Sequence, residues 1–91
     1  MAVKVFIPSA LRSYTSGRDM VTLQGDTVEQ ILEGLTDQFP ILRRHLFDDA
    51  GQLRQFVNIY VNDQDIRYLK RGKTLVEGGD EIRIIPAVAG G

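Results

Sequence analysis

The chain contains no cysteine and no tryptophan, and it has a single histidine. Without cysteine there is no disulfide, no thiolate metal site and no cysteine nucleophile. An excess of either charge is missing as well: 11 basic residues stand against 12 acidic ones, so no excess positive field draws the chain to nucleic acid or an anionic membrane. No apolar run approaches the roughly 20 residues needed to span a bilayer, and MAVKVFIP is too short and strand-like for a signal segment. The expectation is a soluble, cytoplasmic protein with neither nucleic acid nor membrane as partner.

What is present fits one globular domain. The 91 residues leave room for one core and no second domain. Val3 to Pro8 and Arg18 to Gln24 read as a strand pair, with Tyr14-Thr15-Ser16-Gly17 as turn chemistry between them. Thr27 followed by Gln30 resembles a capping box, and Val28, Ile31, Leu32 and Leu35 recur at three- and four-residue spacing. A helix therefore starts near Thr27 with one apolar stripe, and it ends near Phe39 because Pro40 disfavours helical geometry before it. Ile41 to Phe47 adds a short helical turn, and Asp48 to Gly51 a loop. Phe56 to Asn62 alternates as a strand, Asn62-Asp63-Gln64-Asp65 turns the chain, and Glu81 to Ile85 is the last strand. The expected architecture is an α+β fold, a sheet of four to five strands with one main helix across one face.

Period two separates the sheet faces. Val3, Val5 and Ile7, then Val57, Ile59 and Val61, then Ile82 and Ile84 are expected to meet the helix. Phe6, Phe56, Tyr60 and Ile85 fall on the opposite face, where they form either a partner-binding patch, if the first, third and last strands are neighbours, or scattered exposed residues.

Catalytic groups are scarce. His45, in Arg43-Arg44-His45, has no carboxylates at triad or metal spacing and reads as a surface helix residue. Asp48-Asp49 and Asp63-Gln64-Asp65 read as turns rather than a calcium loop. Lys70-Arg71-Gly72-Lys73 lacks the phosphate-loop pattern and reads as a solvated turn. The chain is expected to be no enzyme, to hold no metal or cofactor and to bind no ATP by itself.

The remaining feature is the ending IIPAVAGG. Pro86 has no N–H to continue a ladder, and Gly90 and Gly91 carry no side chain, so residues 1–85 are expected to form the domain and residues 86–91 a projecting tail. Six residues extend at most about 20 Å, enough to enter another protein's active site. An ordinary frayed terminus has the same composition. If the Gly91 carboxylate reacts, its poor leaving group requires activation that no residue here supplies, so an external ATP-using enzyme is implied.

The strand, strand, helix, strand order resembles the β-grasp, or ubiquitin-like, fold, and Pro86-Ala87-Val88-Ala89-Gly90-Gly91 resembles the ending of the MoaD/ThiS sulfur-carrier family. Phe56 to Arg67 together with IIPAVAGG is most similar to the branch that serves cysteine biosynthesis. That resemblance implies an E1-like enzyme that adenylates Gly91, with Gly90, Ala89 and Val88 in its channel, and a covalent 1-thioglycine at Gly91 when loaded. It further implies sulfur transfer to a PLP-dependent cysteine synthase and release of cysteine by a zinc metallopeptidase. It also implies partner binding on the face opposite the helix, with Ile85 at the position of an interface hydrophobe; Phe6, Phe56 and Tyr60 are assigned to that partner-binding face by alternation alone. Molybdopterin-type carriers commonly have two prolines where this chain has Pro86-Ala87, and thiamin-type carriers generally lack the segment from Ile41 to Arg54. A carrier for either of those pathways, a ubiquitin-like modifier conjugated through Gly91, and a non-reactive binding module are the alternatives.

Overall fold

Five strands make one mixed sheet: β1 (Ala2–Phe6), β2 (Met20–Gln24), β3 (Val57–Val61), β4 (Gln64–Asp65) and β5 (Glu81–Pro86), in the order β2-β1-β5-β3-β4. The computed structural model describes residues 2–86. Val88, Ala89, Gly90 and Gly91 lie outside the described residues. β1 and β5 are parallel, and the other neighbours are antiparallel.

The expected strand alternation holds at the core face. Val5 pairs with Val21 on one side and Ile82 on the other, and Ile59 pairs with Ile84. All of these are buried, together with Val28, Ile31, Leu32 and Leu35 of α1 (Val28–Gln38). Leu42 and Leu46 of α2 (Leu42–Leu46) complete the core, because this short helix packs on α1 and on a 3-10 helix at Ser9–Thr15. That 3-10 helix occupies most of the connection expected to be a simple turn. Ser16 and Gly17, both with positive φ, then reverse the chain into β2.

α1 begins as its sequence requires. The Thr27 hydroxyl accepts from the Gln30 backbone N–H at 3.3 Å, and the Gln30 side-chain Oε1 accepts from the Asp26 N–H at 2.8 Å, one residue earlier than in an ideal capping box. Thr27→Ala is expected to cost about 1 kcal/mol, read as a fall of about 4–8 °C in thermal midpoint. An unchanged midpoint would show that the cap is idle.

Three local expectations are corrected. Only Asn62 and Asp63 form the turn after β3: both have positive φ, which suits a two-residue hairpin, and Gln64–Asp65 returns as β4. β5 runs through Pro86, opposite Val57, one residue beyond the expected domain boundary. Proline is tolerated at a strand end that loses only one ladder donor. His45 is half-buried rather than a surface residue. Its ring stacks on Tyr14 at 4.4 Å because α2 lies against the Ser9–Thr15 helix, and its Nε2 is enclosed without a hydrogen-bond partner among the described residues.

Candidate functional site

The open face of the sheet is organised by register. Met20, Phe6, Arg83, Tyr60 and Asp65 are successive cross-strand partners from β2 to β4, so they form one row with Arg83 of β5 at its centre. Ile85 is one step along β5, opposite Asn58. The first, third and last strands are therefore adjacent, and Phe6, Tyr60 and Ile85 share a face.

That face is amphipathic rather than uniformly apolar. The Arg83 guanidinium lies 4.6 Å from the Phe6 ring centroid, covering part of the ring and separating it from Tyr60. Arg83 also reaches Glu81 at 3.1 Å and Asp63 at 4.0 Å. Half-exposed ion pairs contribute about 0–1 kcal/mol each and a cation over an exposed ring about 0.5–1 kcal/mol, so no single tether fixes this side chain. Arg83 was not singled out in the sequence because its importance depends on which aromatic residues lie on either side, and only register reveals that.

Ile85 is 46% exposed and Phe56 44% exposed. Phe56 lies in the turn before β3, so strand alternation does not extend to it and does not fix its face. A shallow cleft of about 410 Å³ opens at the end of β5, lined by Phe6, Pro8, Ala10, Arg83, Ile85 and Pro86. Its position is the informative feature: it adjoins Pro86, the last described residue, from which the segment carrying Gly91 continues.

The turn after β3 is tied to the start of β5. The Asn62 carboxamide accepts from the Glu81 N–H at 2.9 Å and donates to Asp80 Oδ1 at 2.9 Å. At the sheet's far edge, buried Asp65 accepts from Arg67 Nη2 at 2.8 Å and Nε at 3.2 Å, and also from the Arg67 N–H at 2.9 Å. The Arg67 side chain, then its backbone N–H, hold the Asp65 carboxyl below the usual carboxylate range. A lowered folded pKa stabilises the fold above the unfolded value, and this contribution is lost as pH falls through the folded value. The stability advantage over Asp65→Asn is therefore expected to be full at neutral pH and to decline below about pH 4, measured by urea unfolding across pH. A pH-independent difference would contradict the assignment.

Lys70, Arg71 and Lys73 are exposed around a short 3-10 helix that packs on α1. Among the described residues there is no group of three or more His, Asp or Glu placed to hold a metal ion, and no helix is long and apolar enough to cross a membrane. The described residues place an open sheet face, with Ile85 exposed, beside Pro86. They bring together no nucleophile, base and oxyanion donor.

Comparison with known proteins defines the fold and the family. The architecture is the β-grasp, the ubiquitin-like fold: a chain of the Amycolatopsis orientalis BexX/CysO complex superposes with a TM-score of 0.90 at 38% identity, covering 99% of this chain and 100% of that one. The solution structure of small archaeal modifier protein 1 from Methanosarcina acetivorans superposes at 0.88 with 34% identity, covering 99% and 96%. The sulfur carrier protein CysO of Mycobacterium tuberculosis is 41% identical over 93 residues, covering all of both chains. The ThiS family profile matches residues 5–91, and the chain belongs to that family.

Proposed function

We propose that this protein is a sulfur carrier, a cosubstrate whose reacting group is the Gly91 carboxylate, and that it serves cysteine biosynthesis. The observation that carries the reading is the 41% identity to a named sulfur carrier along the full length of both chains. It is supported by the cleft and exposed Ile85 beside Pro86.

Atoms and charges balance without a catalytic residue from this chain. A Gly91 carboxylate oxygen attacks the α-phosphorus of ATP in an E1-like enzyme; pyrophosphate leaves and an acyl-adenylate forms. Sulfide then attacks the acyl carbon, AMP departs, and the thiocarboxylate remains as 1-thioglycine. The narrow segment Val88-Ala89-Gly90 occupies the enzyme channel while Phe6, Arg83, Tyr60 and Ile85 hold the body outside. The loaded sulfur replaces the activated oxygen leaving group on the β-carbon of an activated serine held by a PLP-dependent cysteine synthase, forming a carrier–cysteine thioester; attack of the cysteine amine on the acyl carbon then breaks the C–S bond, giving an amide-linked adduct with a free thiol. Hydrolysis of that adduct by a zinc metallopeptidase returns the Gly91 carboxylate and free cysteine.

The likeness to an archaeal modifier protein favours one second reading, conjugation of the same adenylate to a lysine of another protein. Pyrophosphate exchange into ATP by the activating enzyme tests the step that both readings share. The intact chain is expected to support exchange, and a chain amidated at Gly91 is expected to support none. Undiminished exchange with the amidated chain would remove both readings. A Gly91–lysine amide recovered by peptide mass spectrometry, without thiocarboxylate, would select the modifier.

A further inference from the structure

The two edges of the sheet are finished differently. β4 has two residues and passes directly into a 3-10 turn at Ile66–Tyr68, leaving little for another strand to pair with. β2, at the opposite edge, is five residues long, Met20-Val21-Thr22-Leu23-Gln24, with no charge, no proline and an unbroken one-to-one register. It lacks the usual devices that keep an edge from pairing.

Hydrogen-bond phase decides which groups are available. The Lys4 N–H donates to the Asp80 carbonyl at 3.1 Å, toward β5, and the Ile7 N–H donates to the Asp19 carbonyl at 2.9 Å, toward β2. Amides alternate direction along a strand, so Val3, Val5 and Ile7 bond across to Leu23, Val21 and Asp19. The backbone N–H and C=O groups of Met20, Thr22 and Gln24 therefore point off the sheet, where no strand lies.

We propose that β2 is a self-association surface, on which a second copy of this chain pairs antiparallel about a twofold axis through Thr22. In that register Met20 faces Gln24, Val21 faces Leu23, and Thr22 faces its own counterpart. The outward-pointing residues make bonded pairs, giving about six backbone hydrogen bonds across the axis.

Charge selects the register. Arg18 of each copy falls opposite Asp26 of the other, at both ends of the paired strands; both residues are exposed, and neither has an ion-pair partner among the described residues of its own chain. Centring the axis on Met20 would set Arg18 against Thr22, and centring it on Gln24 would set Asp26 against Thr22. Either choice forfeits both ion pairs.

A strand pair of this length buries less than the roughly 1,000 Å² of a stable interface, so the dimer is weak, with a Kd on the order of 0.1–1 mM. Association leaves Ile85 and Pro86 free, because β5 lies two strands in from this edge. It is therefore independent of sulfur loading.

Sedimentation equilibrium and amide exchange from about 20 μM to about 2 mM test the proposal. The average mass is expected to rise with concentration. Protection of the Met20, Thr22 and Gln24 amides should rise with it, while Val21 and Leu23 stay protected throughout. Thr22→Pro sacrifices no backbone hydrogen bond within the chain, only the exposed 3.6 Å contact of the Thr22 hydroxyl with the Met20 sulfur, and is expected to abolish association. Arg18→Asp is expected to weaken it about tenfold, and adding Asp26→Arg to restore it. A monomer at every concentration with those three amides unprotected would overturn the proposal. So would association untouched by Thr22→Pro and by both charge reversals.

Discussion

A chain lacking Gly91 is expected to accept no measurable sulfur while unfolding within about 2 °C of the full chain. Deletion withdraws the terminal carboxylate by one residue, about 3.5 Å, whereas attack on phosphorus requires reacting atoms about 3–3.5 Å apart. Misplacement of about 1 Å already costs on the order of 100-fold, so a loss of at least about 1,000-fold follows. An alanine added after Gly91 is expected to fail equally, because it moves the carboxylate past the reacting centre. Among the described residues the buried core ends at Ile84, and neither change alters a core residue. Mass spectrometry after incubation with activating enzyme, ATP and sulfide, together with thermal unfolding by circular dichroism, separates chemistry from folding. Loading of either variant at the full rate would contradict the role given to Gly91.

Ile85→Asp is expected to weaken binding to the activating enzyme by about 30-fold or more, as loss of a central apolar anchor does. Arg83→Glu acts beside it: the substitution removes the cation from Phe6 and sets a third carboxylate against Glu81 and Asp63. The control is Leu75→Asp. Leu75 is 73% exposed against 46% for Ile85, but it lies by Thr27 at the start of α1 and outside the open face. Titration calorimetry is expected to show less than about a twofold change for Leu75→Asp, because surface apolarity without a complementary partner contributes little. Equal losses for Ile85→Asp and Leu75→Asp would mean that binding follows exposed apolar area rather than this face.

Strand alternation in Val3-Lys4-Val5 and Ile82-Arg83-Ile84 and the helical stripe from Val28 to Leu35 were legible because each pattern is set by neighbours a few residues away. Thr27 and Pro40 marked the helix limits for the same reason. The hairpin into β4 was missed because Asn62-Asp63 followed by Gln64-Asp65 reads as one polar turn until φ divides it. Phe56 was assigned to a face by extending the strand one residue too early. His45 carried no local sign of Tyr14, which stands 31 positions away and meets it only when α2 packs on the Ser9–Thr15 helix. Arg83 illustrates the same limit at the candidate site. Its place between Phe6 and Tyr60 depends on β5 inserting between β1 and β3, a long-range choice that alternation does not encode.

The most direct measurement of the carrier claim uses the missing cysteines. Incubation with the E1-like enzyme, ATP and sulfide, followed by alkylation with iodoacetamide, leaves a thiocarboxylate as the one intended sulfur nucleophile on the chain. Peptide mapping locates the label and distinguishes sulfur exchange from oxidation of Met1 or Met20, which adds nearly the same mass. One ATP-dependent alkyl group is expected on Gly91. An unlabelled Gly91 from an enzyme that loads a control carrier in parallel would contradict it.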